Sequence, residues 1–166
     1  MRVAPIALFG LGEDRLSGME AMDKLAAEAA EMTHQNPLGY IPAAMMAHII
    51  YRLATDPAPT RDALYAYTKE AMKTMDVLYP AHASSMEYMR MLVNKAFTFA
   101  ASDLSDNEAV ELIGGGWVGD EALAIALYCA AKHFDDFEKA MIAAVNHAGD
   151  SDSTGAIAGN ILGAAI

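Results

Sequence analysis

Thr60-Arg61-Asp62-Ala63-Leu64-Tyr65-Ala66-Tyr67-Thr68-Lys69-Glu70-Ala71-Met72-Lys73-Thr74-Met75-Asp76-Val77-Leu78-Tyr79-Pro80 decides the fold class. Leu64, Tyr67, Ala71, Met75 and Leu78 recur at spacings of three and four, which places them on one face of a helix. Thr60 is a favoured N-cap, and Pro80 cannot continue the ladder of hydrogen bonds. The breaker Asp56-Pro57-Ala58-Pro59 stands in front of it.

The same period runs outward in both directions. Ser17-Gly18-Met19-Glu20 reads as a capping box that opens a helix through Met22, Ala26, Ala29 and Thr33. Gly39 and Pro42 open the next helix, through Met45, Ile49 and Leu53 to about Thr55. Downstream, one helix is expected from about Ser84 to Ala100, and Ser105-Asp106-Asn107-Glu108 is a second capping box. Further helices are expected from Asp120 to Lys132, from Phe134 to Asn146, and from Thr154 onward. No stretch alternates with period two, and there is no hairpin signal or internal repeat. The expectation is an all-α fold, one multi-helix domain over residues 1–166.

Composition sets limits on function. Apolar residues make up 54% of the 166 and charged residues 20%, a globular balance. Eleven basic residues against twenty-two acidic ones give a net charge of −11. That argues against non-specific nucleic-acid binding, which needs a basic surface, and it is compatible with divalent cations. No apolar run approaches the roughly 20 residues of a membrane span, so no membrane partner is expected. A single cysteine, Cys129, sits in an apolar run and reads as a small core residue. With no disulfide possible within the chain and no secretory leader, a cytoplasmic setting is expected. The twelve methionines fall mostly on apolar helix faces, as core filling.

Three segments carry possible chemistry. Asn146-His147-Ala148-Gly149-Asp150-Ser151-Asp152-Ser153-Thr154-Gly155 lies between two helices. A turn can aim Asp150 and Asp152 at one point, and Ser153 and Thr154 add hydroxyl oxygens, the all-oxygen set preferred by hard cations. A helix start with several N-caps uses the same residue types, but two carboxylates and two hydroxyls within five residues exceed what one cap requires. Converging carboxylates without a cation should raise at least one pKa. Gly114-Gly115-Gly116-Trp117-Val118-Gly119-Asp120-Glu121 holds the only tryptophan before a helix. Trp117 can lie against a base or sugar, or plug the core beside an ordinary turn. Thr33-His34-Gln35-Asn36-Pro37-Leu38-Gly39-Tyr40 sits at a helix junction, where His34 can be structural or can hydrogen-bond a phosphate or ribose. The other four histidines lack metal-ligand spacing, and no Ser-His-Asp or Cys-His arrangement is visible. Gly155, Gly159 and Gly163 recur every four residues and offer one smooth face for close packing.

Together these segments resemble the ADP-ribosylglycohydrolase family, which includes dinitrogenase-reductase-activating glycohydrolases and ADP-ribosyl-acceptor hydrolases. Asn146 to Gly159 resembles its C-terminal metal motif, Thr33-His34 with Leu38-Gly39-Tyr40 its histidine segment, and Gly114 to Glu121 its glycine loop before a helix. Met1-Arg2-Val3-Ala4-Pro5-Ile6 is similar to the stretch after its phosphate-cradling loop. The resemblance spans the chain, in family order. It implies an orthogonal multi-helix bundle and Mg²⁺-dependent hydrolysis of the glycosidic bond between ADP-ribose and an acceptor. It makes Asp150, Asp152 and Ser153 metal ligands, and it places His34, Trp117 and Gly116 at the ADP-ribose site of an ADP-ribosylated substrate.

The family's G-D-x-x-G helix and its Thr-Asp-Asp segment, which supplies half of a two-Mg²⁺ site, are not in this sequence. Asp135-Asp136 stands in the wrong place to replace the latter. The chain therefore resembles the C-terminal half of the domain, with ends that read as cut from something longer. At most a partial metal site and impaired hydrolysis are expected; the alternative is a non-catalytic helical member with a residual ligand site. Catalytic base, acceptor and oligomeric state are left open.

Overall fold

The computed structural model describes residues 1–12 and 18–166. Among them are nine α-helices, one short 3₁₀ turn and no strand: α1 (Ala4–Gly10), α2 (Met19–Glu31), α3 (Pro37–Thr55), α4 (Arg61–Leu78), α5 (Ala83–Ala100), α6 (Asp106–Ile113), α7 (Gly119–Lys132), α8 (Phe137–Val145) and α9 (Ser151–Gly163). The all-α expectation holds. No helix of the described residues is long and apolar enough to cross a membrane.

Two helices form the centre. α7 buries eleven of its fourteen residues and α3 eleven of nineteen. A helix that is apolar all round belongs inside, and the alanines of α7 (122, 124, 126, 130 and 131) let neighbours approach closely. α5, α9 and α3 pack on α7, while α2, α4 and α1 pack on α3. Met22, Met45, Met46, Met75, Met86 and Met89 are fully enclosed, as core filling requires. Cys129 is buried too, and burial pushes its thiol up to about 12.

Side-chain caps set the starts of α3, α4, α6 and α8. Thr60 Oγ1 accepts from Ala63 N at 3.1 Å, and the Ser105–Glu108 capping box is closed in both directions. The box expected at Ser17 lies outside the described residues; the residue ahead of α2 is Gly18. Three starts differ from expectation, the first being α9, which begins at Ser151 rather than Thr154. α3 begins at Pro37, because Asn36 Oδ1 accepts from Leu38 N at 2.9 Å and proline suits the first helical position. α8 begins at Phe137, where Asp136 caps Lys139 N at 3.0 Å.

Buried polar groups pin the helices to one another. His48 Nδ1 meets Asp23 Oδ2 at 2.8 Å between α3 and α2, both side chains being enclosed. Burial raises the Asp23 pKa, against the lowering effect of its His48 hydrogen bond. Asp106 ties the start of α6 to the end of α7, accepting from Tyr128 OH at 2.7 Å and from His133 Nε2 at 3.1 Å.

Candidate functional site

The starts of α3, α7 and α9 are joined by a continuous run of backbone contacts, and all three singled-out segments lie at these starts. Gly149 is pressed against Gly115 so closely that a Cβ at Gly149 would lie 1.9 Å from the Gly115 carbonyl oxygen. One residue on, Asp150 N–H donates to that same oxygen at 2.8 Å. At the other end of the loop, a Cβ at Gly119 would lie 2.9 Å from Leu38 O. Gly39 in turn backs onto His34, whose Cβ would be 2.8 Å from a Gly39 Cβ. The glycine loop therefore bridges the acidic turn and the histidine segment.

Asp150 and Asp152 do converge. Contact with the Asp150 carboxyl holds Asp152 above the ordinary carboxylate range. The same contact, with help from Ser153, holds Asp150 below it. The two carboxyls are thus pushed apart in pKa, as expected of two carboxylates brought to one point. Asp152 is exposed, while Asp150 and Ser153 are partly so. Asp152 Oδ1 also accepts from Ser153 N at 2.8 Å.

Thr154 plays a different part from that suggested by its spacing. It is fully enclosed, and its hydroxyl donates to Ala144 O at 2.7 Å, so it is not a free oxygen donor. His147 Nε2 meets the same hydroxyl at 2.8 Å, and Gly149 N–H donates to His147 Nδ1 at 3.1 Å. With Nδ1 accepting, the proton belongs on Nε2, which donates to Thr154. This chain of donors fixes the turn that carries Asp150.

The donor chemistry fits Mg²⁺: hard oxygens from Asp150, Asp152 and Ser153 at one helix start. Among the described residues, no group of three or more His, Cys, Asp or Glu side chains converges as a metal cage.

Trp117 is no core plug. It is 71% exposed, and its indole folds back over Gly115. It borders a cavity of about 650 Å³ with Asn107 and Val110 of α6 and with Asn146 and His147. Gly116 is buried, with φ at +74°, and a Cβ there would lie 3.0 Å from Thr154 Cγ2, so both conformation and space favour glycine. His34 is exposed, and its Nδ1 lies 2.8 Å from Thr33 Oγ1, which also receives the Arg2 guanidinium. Asp150, Asp152, Ser153 and Gly116 are brought together directly; Trp117 joins through its loop, and His34 through Gly39 and Gly119.

Sequence reasoning missed Glu121. Its Oε2 accepts from Gly115 N and Gly116 N, both at 3.0 Å. The available signal was its position, the third residue of a helix behind a glycine run, where a Glu side chain reaches back to free N–H groups. Of the three spaced glycines in α9, only Gly155 is needed for close packing, its Cβ site lying 2.5 Å from Val145 Cγ1. Gly159 makes ordinary contacts with Met141, and Gly163 faces open space.

The chain is 23% identical to the ADP-ribosylhydrolase ARH3 of Bos taurus over 180 aligned positions, covering 99% of this chain and 48% of that protein. It is 24% identical to the Mus musculus ARH3, covering 99% and 47%. The chain thus spans about half the length of these curated relatives. The sequence profile of the ADP-ribosylglycohydrolase family matches residues 1–166 in full. With that match over its whole length, on an all-α bundle that joins the three segments, the chain belongs to the ADP-ribosylglycohydrolase family.

Proposed function

We propose that this chain carries one half of an Mg²⁺-dependent site for hydrolysing the glycosidic bond between ADP-ribose and an acceptor. The observation that supports it most is the backbone continuity from Asp150 through the glycine loop to the His34 segment. Asp150, Asp152 and Ser153 would hold the cation. Bound Mg²⁺ would supply a fixed positive charge to orient the ribose oxygens and polarise water. Trp117 would offer its exposed indole face to the nucleotide, and Gly116 would act by letting the loop pack, since its N–H is already taken by Glu121. His34 would hydrogen-bond the ligand's polar edge.

Two carboxylates and one hydroxyl leave much of an octahedral shell to water. The expected behaviour is weak Mg²⁺ binding, lost in Asp152→Ala, with little or no ADP-ribose release. Calorimetry with MgCl₂ and an ADP-ribose release assay on the chain test both. Tight binding with robust turnover would show that the chain is self-sufficient. Binding of neither Mg²⁺ nor ADP-ribose would refute both this reading and the alternative, a non-catalytic helical member of the family with a residual ligand site.

A further inference from the structure

Glu121 belongs to the third helical position of α7, yet its carboxylate is spent outside the helix. One oxygen, Oε2, takes both the Gly115 and the Gly116 N–H at 3.0 Å. The preceding residue is fitted around the same side chain: a Cβ at Gly114 would lie 2.5 Å from Glu121 Cδ. Three successive glycines are therefore wrapped on one carboxylate. A carboxylate receiving two N–H bonds is a strong anchor, because charge-assisted hydrogen bonds are about twice as strong as neutral ones.

The anchor acts beyond the loop. Gly115 is held by its N–H to Glu121, and its carbonyl oxygen receives the Asp150 N–H at 2.8 Å. Gly115 also carries the Trp117 indole, whose Cδ1 and Nε1 would lie 2.7 and 3.0 Å from a Cβ there. One residue, Gly115, thus links Glu121, the exposed tryptophan and the backbone of the acidic turn. We propose that Glu121 is a positioning residue: it sets Gly115, and through Gly115 it fixes both the Trp117 face and the Asp150 backbone relative to each other. This inference rests on the proposed ADP-ribose site for its functional meaning, though not for its geometry.

Trp117 is the only tryptophan, so its emission reports the loop alone. The test compares Glu121→Ala and Glu121→Gln with the unsubstituted protein, well below melting and with helical content checked by circular dichroism. Gln retains one carbonyl oxygen that can accept both N–H groups, whereas Ala retains none. Without ligand, Glu121→Ala should lower Trp117 fluorescence anisotropy and raise its quenching by acrylamide, and Glu121→Gln should restore both. In MgCl₂ titrations, Glu121→Ala should weaken affinity about 10-fold or more, the usual cost of removing a support behind a ligand, and Gln should recover most of it. A general loss of stability would not produce this local signal with helicity intact, nor its rescue by Gln. Unchanged anisotropy and quenching in Glu121→Ala would overturn the proposal. So would an altered loop signal with unchanged Mg²⁺ affinity, since the link to Asp150 would then be broken. Absence of Mg²⁺ binding in the unsubstituted protein would instead sink the functional reading; the ligand-free measurements would still decide whether Glu121 sets the loop.

Discussion

Gly149→Ala should be among the most damaging single-methyl changes in this protein. The added Cβ would lie 1.9 Å from the Gly115 oxygen, 2.7 Å from its carbonyl carbon and 3.1 Å from its Cα. These are backbone atoms with no rotamer to escape into, so the two segments must part by about 1.5 Å to reach the ordinary ~3.4 Å contact. Gly149 is not among the positive-φ glycines, so the cost is steric alone. A retreat of that size breaks the 2.8 Å bond from Asp150 N to Gly115 O. Overpacking costs about 1–3 kcal/mol, and a stranded N–H costs a similar ~1–3 kcal/mol. Because relief of one limits the other, the net loss is about 2–4 kcal/mol, or roughly 4–16 °C in Tm for a chain of this size. Thermal unfolding followed by circular dichroism reads this directly. Gly163→Ala is the control: nothing lies within 4 Å of its Cβ position, so it should remain within about 1 kcal/mol of the parent. A Gly149→Ala protein melting within about 1 °C of the parent would refute the close backbone contact from which the site is built.

Thr154→Val keeps the shape but removes the hydroxyl shared by Ala144 O and His147 Nε2, and should cost about 1–3 kcal/mol in a urea titration; a variant as stable as the parent would show that this donor chain contributes nothing. Asp106→Asn tests pH dependence. Burial opposes ionisation of Asp106, but hydrogen bonds from Tyr128 and His133 outweigh it and hold its pKa below the ordinary 3.8. A lowered carboxylate stabilises the fold above its unfolded pKa and loses that contribution as pH falls through the folded value. The stability gap between parent and Asp106→Asn should therefore be full near neutrality and shrink below about pH 4, and a gap that widens in acid would contradict the assignment.

The helices were legible because their signals are local. Thr60 with its period-three-and-four face, and Ser105 with Glu108, specify starts and buried faces within a few residues. The start of α3 was misplaced because glycine and an interior proline drew attention from Asn36-Pro37, the actual cap. The acidic turn was legible as a cluster, but not in which side chains face outward. Thr154 looked like a donor beside Ser153, yet one further step around the helix turns it into the core. The Glu121 anchor and the Gly149–Gly115 contact were hidden because each depends on where segments distant in the chain, or a loop folding back, come to rest. The expected assignment of Asp150, Asp152 and Ser153 to a cation stands as a proposal on the chemistry of their donor atoms.

The enclosed Cys129 gives the molecule a built-in clock. Its thiol is shut away in the last turn of α7, and burial pushes its pKa to about 12, so almost no thiolate exists at neutral pH. Since no other thiol competes, the rate of labelling by an alkylating reagent measures how often the centre of the bundle opens. Fraying of outer helices leaves that rate untouched; only separation of α7 from its neighbours starts the reaction.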